Sequence, residues 1–248
     1  MTPYVALGLR EVGNKEGTAW ALFNLATLVS QQGVYDRAIS LTEESLVLFR
    51  ALGNRQGIAW SLLSLANMLF SSQGDPVEVQ TLLEEGLALC REVGHKNGTA
   101  WVLGLLGEVF LQQGDTVKAR SLLEESVVLS REIGNRDIAW ELIVLGRVGA
   151  LEGDYAAARA FYEESLVIGR EVGELNIAFY LEGLADVVAI QGDPAQAARL
   201  WGWQRLYARP GEHPSRLFIV LVMNVRWLLL ASSLAKRPLP PPGQRDES

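Results

Sequence analysis

Four pairs of adjacent carboxylates stand out as candidate chemistry: Glu43-Glu44, Glu84-Glu85, Glu124-Glu125 and Glu163-Glu164. Two carboxylates at one site are the equipment of general acid–base catalysis and of glycoside hydrolysis. Neighbouring residues of a helix, however, do not face each other. The same pair also returns in four successive stretches, so the sequence reads these glutamates as the solvated outer face of a repeated helix. Other reactive residues are few. His95 and His213 are the two histidines, and neither has a Cys or His at ligand spacing, so no zinc site or hydrolase triad is indicated. The single cysteine, Cys90, falls inside an apolar helical pattern and reads as a core residue rather than a nucleophile. Neither G-x-x-x-x-G-K-[ST] nor G-x-G-x-x-G occurs. The sequence therefore assigns no catalytic residue, no metal ligand and no cofactor site, and it points to binding rather than reaction.

The spacing of the glutamate pairs belongs to a larger period. Trp20, Trp60, Trp101, Trp140 and then Phe179 hold one aromatic column at intervals of 40, 41, 39 and 39 residues. Gly13, Gly53, Gly94, Gly134 and Gly173 keep the same beat, and Gly33, Gly74, Gly114, Gly153 and Gly192 lie half a repeat away. A module of this length copied about five times specifies a solenoid. Within the second copy, Trp60, Leu62, Leu63, Leu65, Ala66 and Leu69 have helical spacing. Gly74-Asp75-Pro76 breaks that helix: Gly74 is expected to take the left-handed backbone and Pro76 to open the next helix. Val79, Leu82, Leu83, Leu87 and Leu89 carry the second helix, which Gly94 stops. Asn14, Asn54 and Asn135 follow stop glycines and are expected to cap first helices, with His95 replacing the asparagine in the third copy.

Small residues at Ala26, Ala66, Gly107, Gly146 and Ala185 face Ala38, Ala119, Ala158 and Ala197, which lets paired helices approach closely. This pattern resembles the tetratricopeptide repeat, W-x2-L-G-x2-Y, then A-x3-F, then P. Leu22, Leu25, Ala26, Val29, Ala38 and Thr42 carry it in the first copy, and Leu103, Leu106, Gly107, Phe110, Ala119 and Leu123 in the third. The closing proline is replaced by Arg50, Arg91, Arg131, Arg170 and Arg209, so the second helix can run on to the stop glycine and lengthen the period. The arginines then lie in its last turn, where a cation suits the helix dipole.

The resemblance implies an all-α, right-handed superhelical solenoid of antiparallel helix pairs, with ligand-facing positions on the first helices. One such column reads Thr27, Asn67, Glu108, Arg147 and Asp186; another reads Phe23, Leu63, Gly104, Ile143 and Glu182. They vary while the packing columns stay fixed, as a surface selective for one partner would. The candidate groove is therefore Phe23, Thr27, Leu63, Asn67, Glu108, Ile143, Arg147, Glu182 and Asp186, within which Glu108, Arg147 and Asp186 are of a charge to pair with one another. The tryptophan column is assigned mainly to packing between repeats, with groove lining as the second reading.

The expected organisation is a remnant second helix over residues 1–13, about five repeats over 14–210, an apolar segment over 211–235 and a proline-rich tail over 236–248. The first segment, ending Leu9-Arg10-Glu11-Val12-Gly13, matches the end of a second helix and implies that more solenoid once preceded it. In the fifth copy, Leu200-Trp201-Gly202-Trp203-Gln204 replaces the acidic pair, which predicts that something packs there. The stretch Gly183 to Gly202 resembles the C-terminal end of large bacterial signal-transduction ATPases, including LuxR-type transcriptional regulators. Leu217 to Ala235 is apolar nearly all round and is read three ways: a cap on the last repeat, a membrane helix, or a frame-shift product. Asn224 and Arg226 at its centre count against a membrane span.

Hydrophobic residues make up 49% of the chain and charged residues 21%, enough for a continuous core. A formal net charge of -7 argues against direct binding to nucleic acid, which rests on Lys and Arg. One cysteine and no basic-then-apolar leader favour a reducing cytoplasm. The function read from the sequence is a non-enzymatic scaffold for a protein or peptide partner, a fragment or relative of the sensor region of a bacterial regulator. The alternative is a small-molecule effector-binding or enzyme accessory domain, which needs a closed cavity with convergent polar groups.

Overall fold

A computed structural model describes residues 14–135, 138–172 and 177–207. Ten helices occupy them: α1 (Lys15–Ser30), α2 (Tyr35–Leu52), α3 (Arg55–Ser71), α4 (Pro76–Glu92), α5 (Lys96–Gln112), α6 (Thr116–Glu132), α7 (Ala139–Leu151), α8 (Tyr155–Val172), α9 (Ile177–Ile190) and α10 (Pro194–Tyr207). Each odd-numbered helix packs on the even-numbered helix that follows, and each even-numbered helix packs on the next pair. First helices of successive repeats also touch, α1 on α3, α5 on α7 and α7 on α9. The chain is therefore a stack of five helix pairs with its first helices gathered on one side.

Repeat boundaries are set by backbone chemistry that the sequence announced. Gly53 closes α2 with a left-handed φ of 66°, which a Cβ would penalise. Asn14 and Asn54 then accept from the amides of Gly17 and Gly57 at 2.8 and 2.9 Å, and His95 Nδ1 accepts from Gly98 N–H at 2.8 Å. The expected histidine cap is thus present. Gly74 departs from expectation: the left-handed residue in that turn is Gln73, at φ 58°. Asp75, held extended before Pro76 at ψ 118°, caps α4 through Val77 N–H, so the turn is made one residue earlier. Ile138, the residue preceding α7, makes no side-chain cap bond, and residues 136–137, between it and the expected cap Asn135, lie outside the described residues.

Packing within each pair follows the small-residue columns. A Cβ at Gly107 would stand 2.5 Å from Leu123, and one at Gly146 would stand 2.7 Å from the Tyr162 ring. Ala26, Ala66 and Ala185 are fully buried at the same position. Buried Ser45 and Ser126 tie second helix to first by donating to the carbonyls of Ala19 and Ala100, at 2.8 and 2.7 Å. Between repeats, Phe49 lies under Gly57, where a Cβ would be 2.3 Å from its ring. Cys90 occupies the corresponding place under Gly98 and is 2% exposed, as a core residue should be. Burial pushes its thiol pKa up, which keeps it protonated and unreactive.

The expected segments 1–13, 211–235 and 236–248 lie outside the described residues. Among the described residues, no helix is long and apolar enough to cross a membrane.

Candidate functional site

The two faces of the stack treat their charges differently. On the second helices, arginines of the last turn reach forward to the next repeat. Arg50 meets Glu85 at 2.8 Å, Arg91 meets Glu125 at 2.7 Å, and Arg131 meets Glu164. Arg120 bridges to Glu152 and Glu124, and Arg159 meets Glu163 at 2.8 Å. The first three glutamate pairs are thus solvent-exposed, as the sequence implied, while Glu163-Glu164 is half-buried, and several of these glutamates are also rungs between or within repeats. That pairing was missed because each arginine was considered only against its own helix dipole. The three rungs from last-turn arginines, Arg50–Glu85, Arg91–Glu125 and Arg131–Glu164, span 35, 34 and 33 residues, a spacing visible in the two columns once they are laid side by side.

On the first helices, the candidate columns and the tryptophans fall on one stripe. Trp140, Ile143 and Arg147 sit at i, i+3 and i+7 of α7, one helical face, and Trp101, Gly104 and Glu108 repeat the arrangement on α5. Trp60, Leu63 and Asn67 do so on α3, and Trp20, Phe23 and Thr27 on α1. An aromatic row therefore runs beside the variable polar row. Trp101 is 39% exposed and Trp140 38%, so their assignment chiefly to packing needs correction. Trp20 and Trp60 are less exposed because they stack edge-on: Trp20 against Phe49 at 4.8 Å and Phe23 at 6.0 Å, Trp60 against His95 at 4.9 Å.

Among the proposed groove residues, Asn67, Arg147, Glu182 and Asp186 are exposed, while Phe23, Thr27 and Ile143 are half-buried. Leu63 is not a surface residue. It is 4% exposed, and Gly86 of α4 lies so close that a Cβ there would be 2.5 Å from its Cδ1. The glycine in α4 lets the leucine turn inward, which a column read from first helices alone does not reveal. Glu108 is also buried, yet it belongs to the face through its partner. Arg147 Nη1 donates to both carboxylate oxygens at 2.8 and 2.9 Å, and Gln112 Nε2 donates at 3.2 Å. The anticipated trio is thus a pair. Asp186 accepts instead from the Trp201 indole N–H at 3.1 Å, joining α9 to α10 where the acidic pair of earlier repeats has gone.

Beneath this junction, Tyr162 of α8 inserts between α7 and α9, against Gly146 and Gly183. Burial pushes its hydroxyl up to about 12, with Arg147 opposing and Asp186 reinforcing the shift. A shallow cleft between repeats two and three is lined by Gln56, Ala59, Trp60, Leu63, Cys90, Val93 and His95. It is open and largely apolar, without the convergent polar groups that an effector pocket requires. Among the described residues, no three His, Cys, Asp or Glu side chains gather as metal ligands would.

Helix pairs stacked through small-residue contacts, with a continuous first-helix face, define a helical-repeat solenoid. Tetratricopeptide repeat models match residues 17–92, 57–132 and 178–203, together more than half of the chain. The chain belongs to the tetratricopeptide repeat family. A comparison with curated proteins finds no match. Solved structures share the fold. BtubC from P. vanneervenii aligns with a TM-score of 0.69 and 17% identity, covering 99% of this chain and 93% of that one. A putative kinesin light chain from Podosopora anserina, with nearly identical repeats, gives 0.58 and 18%, covering 75% and 93%. A signal transduction ATPase with numerous domains and a tetratricopeptide repeat sensor, from Pyrococcus horikoshii, gives 0.60 and 13%, covering 86% of this chain and 39% of that protein.

Proposed function

We propose that this chain is a non-enzymatic, cytoplasmic scaffold that receives a protein or peptide along the first-helix face, as part of a bacterial regulator's sensor region. Its fold is one typical of protein–protein interaction. The observation that carries the choice of face is the contrast in charge and exposure. Arginine–glutamate rungs engage Glu85, Glu125 and Glu164 on the outer face, whereas the inner face exposes Trp101, Trp140, Asn67 and Asp186. Large exposed aromatics beside variable polar groups are what interfaces use as anchors. The regulator setting is supported by the likeness of Gly183 to Gly202 to the ends of such proteins, and by a shared fold with an ATPase that carries a repeat sensor. No nucleic acid is assigned as partner, in keeping with the net charge of -7.

The test is a pair of charge insertions read by co-purification of the partner from the native host. Asn67→Arg alters the inner face, and Val128→Arg alters the outer face at a residue already 55% exposed. The reading expects the first to abolish co-purification and the second to leave it unchanged, with both proteins fully helical. The opposite pattern would place recognition on the second helices.

A further inference from the structure

We infer that the occupant of the first-helix groove is a basic segment of a protein, with lysine or arginine side chains over α9 and apolar residues along the tryptophan row. This rests on the inner-face reading above and adds the chemistry of the partner to it.

The charge inventory of that face leads there. Arg147 is its exposed cation on α7, but its Nη1 is engaged by both oxygens of buried Glu108, so the two together present no net charge. One helix further, Glu182 and Asp186 lie a single turn apart on α9 and are both exposed. No Lys or Arg among the described residues forms an ion pair with either. Asp186 accepts one neutral indole N–H, which leaves its charge in place. Among the described residues, then, α9 presents two adjacent carboxylates with no ion pair on the inner face, whereas outside Arg50, Arg91 and Arg131 each meet a glutamate of the next repeat.

The aromatic row favours the same occupant. Helix α7 packs directly on α9 and on α5, so the 38% exposed Trp140 and 39% exposed Trp101 continue the surface that carries the carboxylates. An indole face attracts a cation and also accepts aliphatic chains, and lysine and arginine supply both in one side chain. An acidic segment would meet Glu182 and Asp186 with like charge. A wholly apolar one would leave those carboxylates desolvated and unpaired. The chain's overall charge of -7 adds long-range attraction for a basic partner.

The experiment uses the full chain and two fluorescein-labelled peptides of about twelve residues, one alternating lysine with leucine and small residues, the other with every lysine replaced by glutamate. Fluorescence anisotropy is titrated at low and at physiological salt. The basic peptide is expected to bind about tenfold or more tightly than the acidic one, with the margin shrinking as salt rises. In Glu182→Lys/Asp186→Lys the preference should reverse, and in Glu182→Gln/Asp186→Asn it should disappear. Circular dichroism should show both variants folded, since the substituted side chains are exposed. A preference for the acidic peptide, equal binding, or no saturable binding of either overturns the proposal. If the acidic peptide binds and Asn67→Glu weakens it, the groove stands and its basic occupant falls. If the basic peptide is lost through Glu84→Lys on the outer face while the α9 variants keep it, the inner-face reading itself falls.

Discussion

Replacing Arg147 by alanine is expected to cost the fold roughly 2–3 kcal/mol, a value fixed by what it leaves behind rather than by what it removes. Arg147 itself is half-exposed, with 47% of its side chain accessible, and by sequence it passes for a surface residue whose loss is harmless. Its partner is not exposed. The Glu108 side chain is 7% accessible and takes two charge-assisted hydrogen bonds from one guanidinium nitrogen, with Gln112 as its other donor. Without the arginine, a buried carboxylate keeps its desolvation cost and loses its counter-charge. Breaking a fully buried pair costs about 3–5 kcal/mol, and exposure of the arginine lets water into the vacated space, which brings the value down. Arg147→Glu would be worse, because it places a second carboxylate beside the first. The assay is urea denaturation followed by circular dichroism on Arg147→Ala, Glu108→Gln and the double variant. The double-mutant cycle should give a coupling of about 1 kcal/mol or more. The outer pair supplies the comparison: Glu85→Ala removes a partner of Arg50 whose site is 44% exposed, and about 0–1 kcal/mol is expected. Equal costs at the two sites, or a coupling below about 0.3 kcal/mol, would refute the claim that burial of Glu108 governs the pair.

Trp101→Ala should cost about 1–2 kcal/mol, below the 3–5 usual for a buried tryptophan, because the side chain is 39% exposed; urea midpoints compared with Leu103→Ala check this. Gly57→Ala should destabilise by about 1–3 kcal/mol, since its Cβ would enter the Phe49 ring, and the companion Phe49→Leu should recover part of the loss. His95→Asn should preserve the melting temperature and His95→Ala should lose about 1 kcal/mol, the usual value of an N-cap acceptor. Cys90 and Tyr162 both have pKa values raised by burial from 9.0 and 10.0, so their contribution is complete below those values. Above them the unfolded chain loses protons first, and stability should fall as pH rises through 9 and on towards 12. Melting scans at increasing pH should show part of the decline removed by Tyr162→Phe.

Repetition made the fold legible. A tryptophan column, two glycine columns and a small-residue column each gave the same period, and the helix boundaries followed from caps that include His95. The exception, Gln73 in place of Gly74, concerns one turn whose geometry a proline resets. The candidate face was legible as a column but not as a surface. Whether a column position is exposed depends on its neighbour in another helix: Leu63 sinks because residue 86 is glycine, and Glu108 sinks because Arg147 follows one repeat later to cover it. The tryptophans erred in the other direction. Their recurrence is what packing requires, but it is equally what a continuous ledge requires, and the three-dimensional stacking of helices decides between them. The interlocking of Arg50, Arg91 and Arg131 with Glu85, Glu125 and Glu164 was missed because intrahelical reasoning looks three or four residues away.

Site-directed photo-cross-linking in living host cells tests the central claim most directly, that partners are received on the first helices. A photo-reactive residue placed at Asn67 faces the groove, and one placed at Val128 faces away from it. The account predicts one partner adduct from position 67, none from position 128, and loss of the adduct when Trp101 and Trp140 are replaced by alanine. An adduct formed from position 128 and absent at position 67 would contradict it.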